Sequence, residues 1–336
     1  MRVPRNSIPM KILVTGATGF LGTRVTQLLA EHGHTLTALC RRTSRTQDID
    51  AFVAGKVIAD VTDPVLSVRA AAGHDALVHM AADLSHWSRN RDRIYRTNVI
   101  GTRIMAEASK TAGVPKFLHV SSIAAIGYSA NGNPIDETAE NNFVPLNLLY
   151  HESKRLAEEE ALDAVRYGAS VVVVNPGVLY GPRSFNHTFG HTMLDLAAGR
   201  VPGHPSGGLS IADVDDVAEG IVAALSHGKS GERYILAGHN LTYEEAFRRQ
   251  AQAAGVPYRG REIPSVALMV AARAFELRSR FSGNEPRLTI DNARIAPLKM
   301  WYTSGKAESA LGFRSRALDE TLERMARAYR QAGALP

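Results

Sequence analysis

The chain has 336 residues, is 45% hydrophobic and carries a formal net charge of +6, enough apolar material for one large domain or a domain with an appendage. Its single cysteine, Cys40, excludes a disulfide framework and a cysteine-based metal cluster, and fits a reducing, cytoplasmic setting with no metal site. The basic residues are scattered rather than striped, which argues against a nucleic-acid partner. The apolar run 266–272 stops at Arg273, far short of a membrane span.

Residues 1–9 read as a loose leader, lacking the continuous apolar core of a signal peptide. Beyond it, apolar runs at 11–15, 36–39, 56–59, 76–80, 117–120 and 171–174 read as short, fully buried strands, separated by helical patterns at 21–32, 92–111 and 149–167. That alternation predicts βαβ units and an α/β fold: a Rossmann-type, doubly wound parallel sheet with helices on both faces. After about residue 175, Pro and Gly become frequent and the alternation breaks. A strand–helix pattern returns at 209–225 and 234–236, followed by helical segments at 243–254, 264–280 and 318–331. The expected division is a dinucleotide-binding domain over 10–175, with about 209–236 returning to its sheet. A smaller, mostly helical substrate lobe would cover about 176–208 and 237–331. The amphipathic 264–280 segment reads either as a lid over a site or as a packing helix.

The first strand runs into 15-TGATGFLGTRV-25, with Gly16, Gly19 and Gly22 at three-residue spacing. Following a buried strand and opening a helix, such a triplet marks dinucleotide binding. The first glycine permits the tight turn, the second a close approach of backbone to pyrophosphate, and the third close helix–sheet packing. The helix N-terminus supplies free N–H groups to the anion. At the end of the second strand an NAD-binding protein places an acid for the ribose 2′-hydroxyl. Here Cys40 occupies that place and is followed by Arg41 and Arg42, whose guanidiniums suit a 2′-phosphate. NADP(H) is therefore the preferred cofactor, with NAD(H) possible. Asp60, ending the third strand, is read as an acceptor for the adenine amino group or as a helix cap.

The pieces 15-TGATGFLG-22, 60-DVTD-63, 78-VHMAA-82, 98-NVIGT-102, 121-SSIAAIG-127, 150-YHESK-154 and 175-NPGVLYGP-182 resemble, in order, the extended short-chain dehydrogenases/reductases. The tail, with 231-GERYILAGHNLTYEEA-246 and 300-MWYTSGKAESALGF-313, looks like the branch of dihydroflavonol-reductase-like proteins and hopanoid-associated sugar epimerases. The resemblance implies that Tyr150 is the catalytic acid/base, Lys154 its partner and Ser122 the hydroxyl that polarises a carbonyl. It implies cofactor contacts from Thr18, Phe20, Leu21, Val61, Ala81, Ala82 and Asn98, with Pro176 and Val178 facing the nicotinamide. It also implies a homodimer built from the 92–111 and 149–167 helices.

The chemistry of those residues is consistent with this. A free tyrosine has a pKa of about 10 and is a poor base at neutral pH. A neighbouring ammonium, with an oxidised nicotinamide nearby, favours the phenolate, and a drop of about three units takes roughly 4 kcal/mol. On a helical wheel Tyr150, Lys154, Ala157, Ala161 and Ala164 fall within about 80° of one another, with Glu152, Arg155 and Glu159 opposite. Lys154 thus heads a buried-looking alanine face, whereas the run Glu158 to Glu160 reads as surface. Substrate contacts are expected above the C-terminal ends of the strands, from Leu84, Ser85, His86, Ile123, Tyr180 and Phe185. His86 and His187 are read as polar pocket or surface residues rather than extra acids. Trp87, Tyr180 and Phe185 together hint at an aromatic or alicyclic substrate.

Three functions follow. The first is NADP(H)-dependent reduction of a ketone or aldehyde to an alcohol, or the reverse. The second is nucleotide-sugar epimerisation, for which Arg183 and Arg287 would clamp the diphosphate. The third is a non-catalytic cofactor sensor, disfavoured because Ser122, Tyr150 and Lys154 are all kept. A sugar dehydratase would resemble this chain but carry an Asp-Glu pair where Ile123 and Ala124 stand.

Overall fold

The computed structural model describes residues 8–184 and 188–335. The first part runs β1 (Lys11–Thr15), α1 (Phe20–Glu31), β2 (Thr35–Cys40), β3 (Gly55–Ile58), α2 (Pro64–Ala71), β4 (Ala76–His79), α3 (Arg91–Tyr95), α4 (Gly101–Thr111), β5 (Lys116–Val120), α5 (Leu149–Asp163) and β6 (Val171–Pro176). It continues through β7 (Val178–Tyr180), α6 (Thr188–Ala197), β8 (Gly203–His204), β9 (Gly208–Asp213), α7 (Val214–His227), β10 (Arg233–Leu236) and β11 (His239–Thr242). The last elements are α8 (Tyr243–Ala254), β12 (Arg261–Glu262), α9 (Ser265–Ser282), α10 (Ile290–Ile295), α11 (Gly305–Leu311) and α12 (Leu318–Gln331).

Seven parallel strands form the main sheet in the order β10-β6-β5-β4-β1-β2-β3. β1 lies between β2 and β4, pairing Val14 with Ala38 on one side and with Val78 on the other. The chain therefore winds outward in both directions from β1, and the crevice at the C-terminal ends of β1 and β4 is where such sheets take ligands. β4 and β6 are buried along their whole length, because helices cover both faces. One face packs Val25, Leu29, Val217 and Ile221 against the sheet, and the other packs Ala70, Met105, Ala108 and Ala161. The expectation of full burial fails for β3, where burial alternates and Ile58 is 51% exposed. β3 is the last strand of the sheet and has a neighbour on one side only.

Two further expectations change. The 92–111 segment is not one regular helix: α3 and α4 flank a π-helical turn over Arg96–Ile100, a feature that often marks a functional position. The return of the chain to the main sheet is made by α7 and β10 alone. β9, expected in that sheet, pairs instead with β11 and β7 in a separate three-stranded sheet. The segment 264–280 is helical as α9, and α9 packs on α10.

The lobe is fastened to the main domain by charge. Asp213, wholly buried at the end of β9, caps α7 by accepting from the Asp215 N–H at 2.8 Å. Arg24 of α1 donates to Asp215 at 2.6 Å, Arg316 to Asp216 at 2.8 Å, and Arg324 and Thr321 of α12 to Asp213 at 3.1 and 2.8 Å. Burial pushes the Asp213 carboxyl up, against the pull of these bonds. Removing one cation from such a cluster leaves a buried carboxylate underpaired. Arg316→Ala should therefore lower the unfolding free energy by about 3 kcal/mol, read as an earlier urea midpoint at unchanged slope.

Candidate active site

The glycine turn is dictated by contact distances. Gly16 has φ +70°, and a Cβ there would stand 2.6 Å from the backbone N of Ala81. A Cβ on Gly22 would stand 2.0 Å from the Gly16 carbonyl oxygen. β1, β4 and α1 thus meet at a separation that only glycine allows. Gly19 stands at the N-cap of α1 with no side-chain cap, and the first turn holds no acid, so no carboxylate offsets the positive end of the helix where it meets the crevice. Thr18, Phe20 and Leu21 are half-buried around this turn. Ala81 is fixed by donation of its N–H to the Thr15 hydroxyl at 3.2 Å.

At the far end of the crevice Arg41 and Arg42 are exposed directly after β2, while Cys40 is buried. Asp60 accepts from the Thr62 N–H and hydroxyl at 2.9 and 2.8 Å. Burial opposes ionisation of its carboxyl, but these bonds and the charge of Arg41 hold it below the usual range. It is thus bound locally, as a turn-forming acid. Val61 is buried against α4, at a spot where a Cβ on Gly101 would meet it at 2.8 Å. These features fit a nicotinamide dinucleotide laid across β2, β1 and β4.

The catalytic candidates converge at the end of β5. Ser122 follows the strand in extended backbone, and its hydroxyl accepts from the Ala124 N–H at 3.2 Å. The same hydroxyl faces the Tyr150 phenol and draws its pKa down, but burial outweighs this and pushes Tyr150 up to about 12. Lys154 is 3% exposed and donates to the Val120 carbonyl at 3.2 Å. Burial lowers its ammonium to about 8, opposed by the charge of Glu158. The expected depression of Tyr150 by Lys154 is therefore not what the protein alone displays. The ammonium is held down on the sheet at Val120 and burial dominates, so the resting phenol is protonated.

Around Lys154 the sheet core is kept free of competing cations. His79, on β4, bonds Thr15 and Thr102 through its two ring nitrogens at 2.7 and 3.1 Å. Burial and the charge of Lys154 lower it to about 3. His119, stacked on His79 with ring centroids 5.5 Å apart, is held well below its usual value by the same causes.

Glu158 is a residue that the sequence reading placed on the surface. It is 3% exposed. It accepts from Asn175 Nδ2 at 2.6 Å and from Arg233 at 3.1 Å, and the same Asn175 nitrogen donates to the Ser122 carbonyl at 3.0 Å. One carboxylate therefore ties the backbone of Ser122 to the helix that carries Lys154. The signal was present: Glu158 is four residues after Lys154 and falls on the same helical face, while Glu159 and Glu160 pair outward with Arg155 and Arg103. Asn98, buried in the π-helical turn, accepts from the Asp83 N–H at 2.7 Å and donates to Ser153 of α5 at 2.9 Å. It braces the loop after β4 against α5.

That loop brings His86 over the site, with its ring 4.8 Å from that of Tyr150. Among the described residues its buried Nδ1 has no hydrogen-bond partner, and burial lowers the imidazole to about 4. A neutral ring with an unused nitrogen beside the Tyr150 phenol is suited to a polar group of a ligand. Ser85 and the His86 N–H are anchored to Glu285 at 2.7 and 3.3 Å, and Leu84 is 63% exposed at the rim. Ile123 is 5% exposed and packs with Ile126, Phe143 and Tyr302. Pro176 is buried and Val178 half-buried.

Tyr180 is 1% exposed in the core of the lobe, its hydroxyl accepting from Gln250 at 3.0 Å. Trp87 is 5% exposed, and Phe185, with Asn186 and His187, lies outside the described residues. Tyr180 is used for packing in the lobe rather than offered to the site, and Arg89 lies over the Trp87 ring. Arg183 is paired with Asp48, and Arg287 is exposed.

The model of the NAD dependent epimerase/dehydratase family matches residues 12–237. A candidate dihydroflavonol 4-reductase of Synechocystis sp. is 31% identical over 314 residues, 92% of this chain and 91% of that protein. Sterol demethylase protein B of Methylococcus capsulatus is 31% identical over 307 residues, 90% of this chain and 93% of that one. The crystal structure of gox2253 superposes with a TM-score of 0.84 at 36% identity, covering 97% of this chain and 99% of that one.

A pH test follows from the buried pair. Dinucleotide affinity should fall as pH rises through about 8, where Lys154 loses its proton. Glu158 favours the charged lysine, so Glu158→Gln should move that fall to lower pH. Fluorescence of bound NADPH reads both, and coincident profiles would detach Glu158 from Lys154.

Proposed function

This chain belongs to the NAD dependent epimerase/dehydratase family, and from that premise we propose that it is an NADP(H)-dependent oxidoreductase reducing a ketone or aldehyde to an alcohol. The observation that carries the reading is the Tyr150 phenol facing the Ser122 hydroxyl, with the side chain of Lys154 buried on the next turn of the helix. A bound nicotinamide dinucleotide would supply the hydride. As the carbonyl carbon is reduced and its C=O π pair moves to oxygen, Tyr150 would give that oxygen its proton. Ser122 donates a hydrogen bond to the same oxygen, stabilising the developing charge without competing for the proton. The phenolate left behind is offset by Lys154, whose own charge Glu158 sustains.

NADPH rather than NADH is favoured by Arg41 and Arg42 standing where an acid would repel a 2′-phosphate. An exchanging reductase is favoured over a sugar epimerase because Arg183, the cation suited to a diphosphate, is paired with Asp48. The name of the Methylococcus relative points the substrate class toward apolar, sterol-like carbonyl compounds, consistent with the exposed Leu84 and the uncharged His86 at the rim. A homodimer through α4 and α5 belongs to the same proposal and rests on the family resemblance.

Tyr150→Phe should lower turnover of any ketone found by screening with NADPH by roughly 10²–10⁴-fold while leaving NADPH affinity intact. Full turnover in that variant would refute the mechanism. Arg41→Ala with Arg42→Ala should weaken NADPH binding about tenfold or more relative to NADH, measured by titrating both. A screen that includes UDP-sugars and returns isomerisation without net NADPH consumption would instead establish the epimerase.

A further inference from the structure

α9 is the most exposed long helix in the described structure. Across its 18 residues only Ala272 and Ser279 are buried. Val266, Val270, Leu277 and Phe281 are 76, 62, 56 and 87% exposed, and at 100° per residue they fall within about 60° of one another. Arg273 and Arg280 border this stripe on one side and Arg278 on the other. Ala272 and Ser279 lie opposite, toward α10. Glu276, the single carboxylate of the helix, is used inward, accepting from the Ile290 N–H at 2.8 Å. Among the described residues none of the three arginines takes part in an ion pair.

An apolar stripe of this length needs a cover, and the charges beside it state which kind. We propose that α9 docks this chain on an anionic lipid surface, lying in the plane of the interface with Val266, Val270, Leu277 and Phe281 among the acyl chains and the arginines at the head groups. No helix among the described residues is long and apolar enough to cross a membrane, so the contact is peripheral. A second copy of the chain is a poor cover. Two such faces brought together would set unpaired arginines against arginines with no carboxylate between them.

The placement beside the site gives the contact a use. Glu285, three residues past the helix, holds Ser85 and the His86 backbone, and the Arg280 carbonyl accepts from Arg89 at 3.5 Å. A docked α9 therefore brings the loop over Tyr150, with its exposed Leu84, to the membrane surface, where an apolar substrate resides. This second step rests on the reductase reading, whereas docking itself does not.

The test is flotation of the full chain with phosphatidylcholine vesicles, with and without phosphatidylglycerol. The wild type should float with the anionic vesicles, little with the neutral ones, and less as salt screens the arginines. Leu277→Ser with Phe281→Ser should cut partition at least about tenfold at unchanged Tm, and Arg273→Glu with Arg278→Glu and Arg280→Glu should abolish it. Equal flotation of the wild type and the double serine variant, or equal flotation on neutral and anionic vesicles, overturns the proposal. So does a doubled mass in solution that the double serine variant halves, which would assign the face to a second copy. Because flotation needs no turnover, failure of docking and failure of the reductase reading are read separately. Where both hold, the serine variant reduces a short, water-soluble ketone at the wild-type rate and a vesicle-borne ketone more slowly.

Discussion

A lysine ammonium buried in the layer between α5 and the sheet is the constraint around which the rest of this molecule is organised. Taking such a charge out of water is costly unless every neighbour accommodates it. Lys154 is accommodated by the Val120 carbonyl at the end of β5 and by the field of Glu158 from the next turn of the helix. The two nearby histidines are held neutral, so neither adds a charge beside it, although Arg233 shares Glu158. The alanines at 157 and 161, wholly buried, let α5 approach closely enough for the lysine to reach the sheet. The geometry of Ser122 follows from the same network, since Glu158 holds Asn175 and Asn175 holds the Ser122 carbonyl.

The nucleotide end depends on contact rather than charge. Gly16 and Gly22 allow β1, β4 and α1 to meet at distances that a single methyl group would prevent, and no acid in the first turn of α1 offsets its positive end. The two ends are linked by Asn98, which locks the loop after β4 to Ser153 of α5. A shift of that loop would move His86 relative to Tyr150. α5, the glycine turn and the loop after β4 are thus mechanically one unit, set at the point where the strand order reverses. The aspartate cluster at the start of α7 joins the lobe to this unit through Arg24, Arg316 and Arg324.

Much of this was legible in the chain itself. Periodicity located β1, β2, β4, β5, β6, α1, α8 and α12 within a residue or two, and α5 at its start, its last four expected residues forming a 3-10 turn, since runs buried on both faces and amphipathic helices leave direct traces in sequence. The glycine spacing and the Tyr150/Lys154 pair were readable for the same reason: each is local, within eight residues. The π-helical turn at Arg96–Ile100 was not, because π and α turns differ by one hydrogen bond and not by residue type. Nor was the partner of β9. A six-residue buried strand reads the same whichever sheet receives it.

What sequence alone determined, then, is whatever is encoded within one turn or one strand: the α/β alternation, the glycine turn, the arginines after β2, and the helical face that carries Tyr150 and Lys154. Tertiary structure decided whatever depends on segments far apart in the chain. Glu158 became a buried brace because Asn175 and Arg233 come to it from other elements. His86 came to face Tyr150 because Glu285, 199 residues on, anchors its loop. Tyr180 was consumed by packing in the lobe. α9 kept an apolar face in the open because only its opposite side found a partner. Local chemistry fixes what a side chain can do, but burial, and with it protonation and exposure, is set by neighbours that proximity in sequence does not reveal.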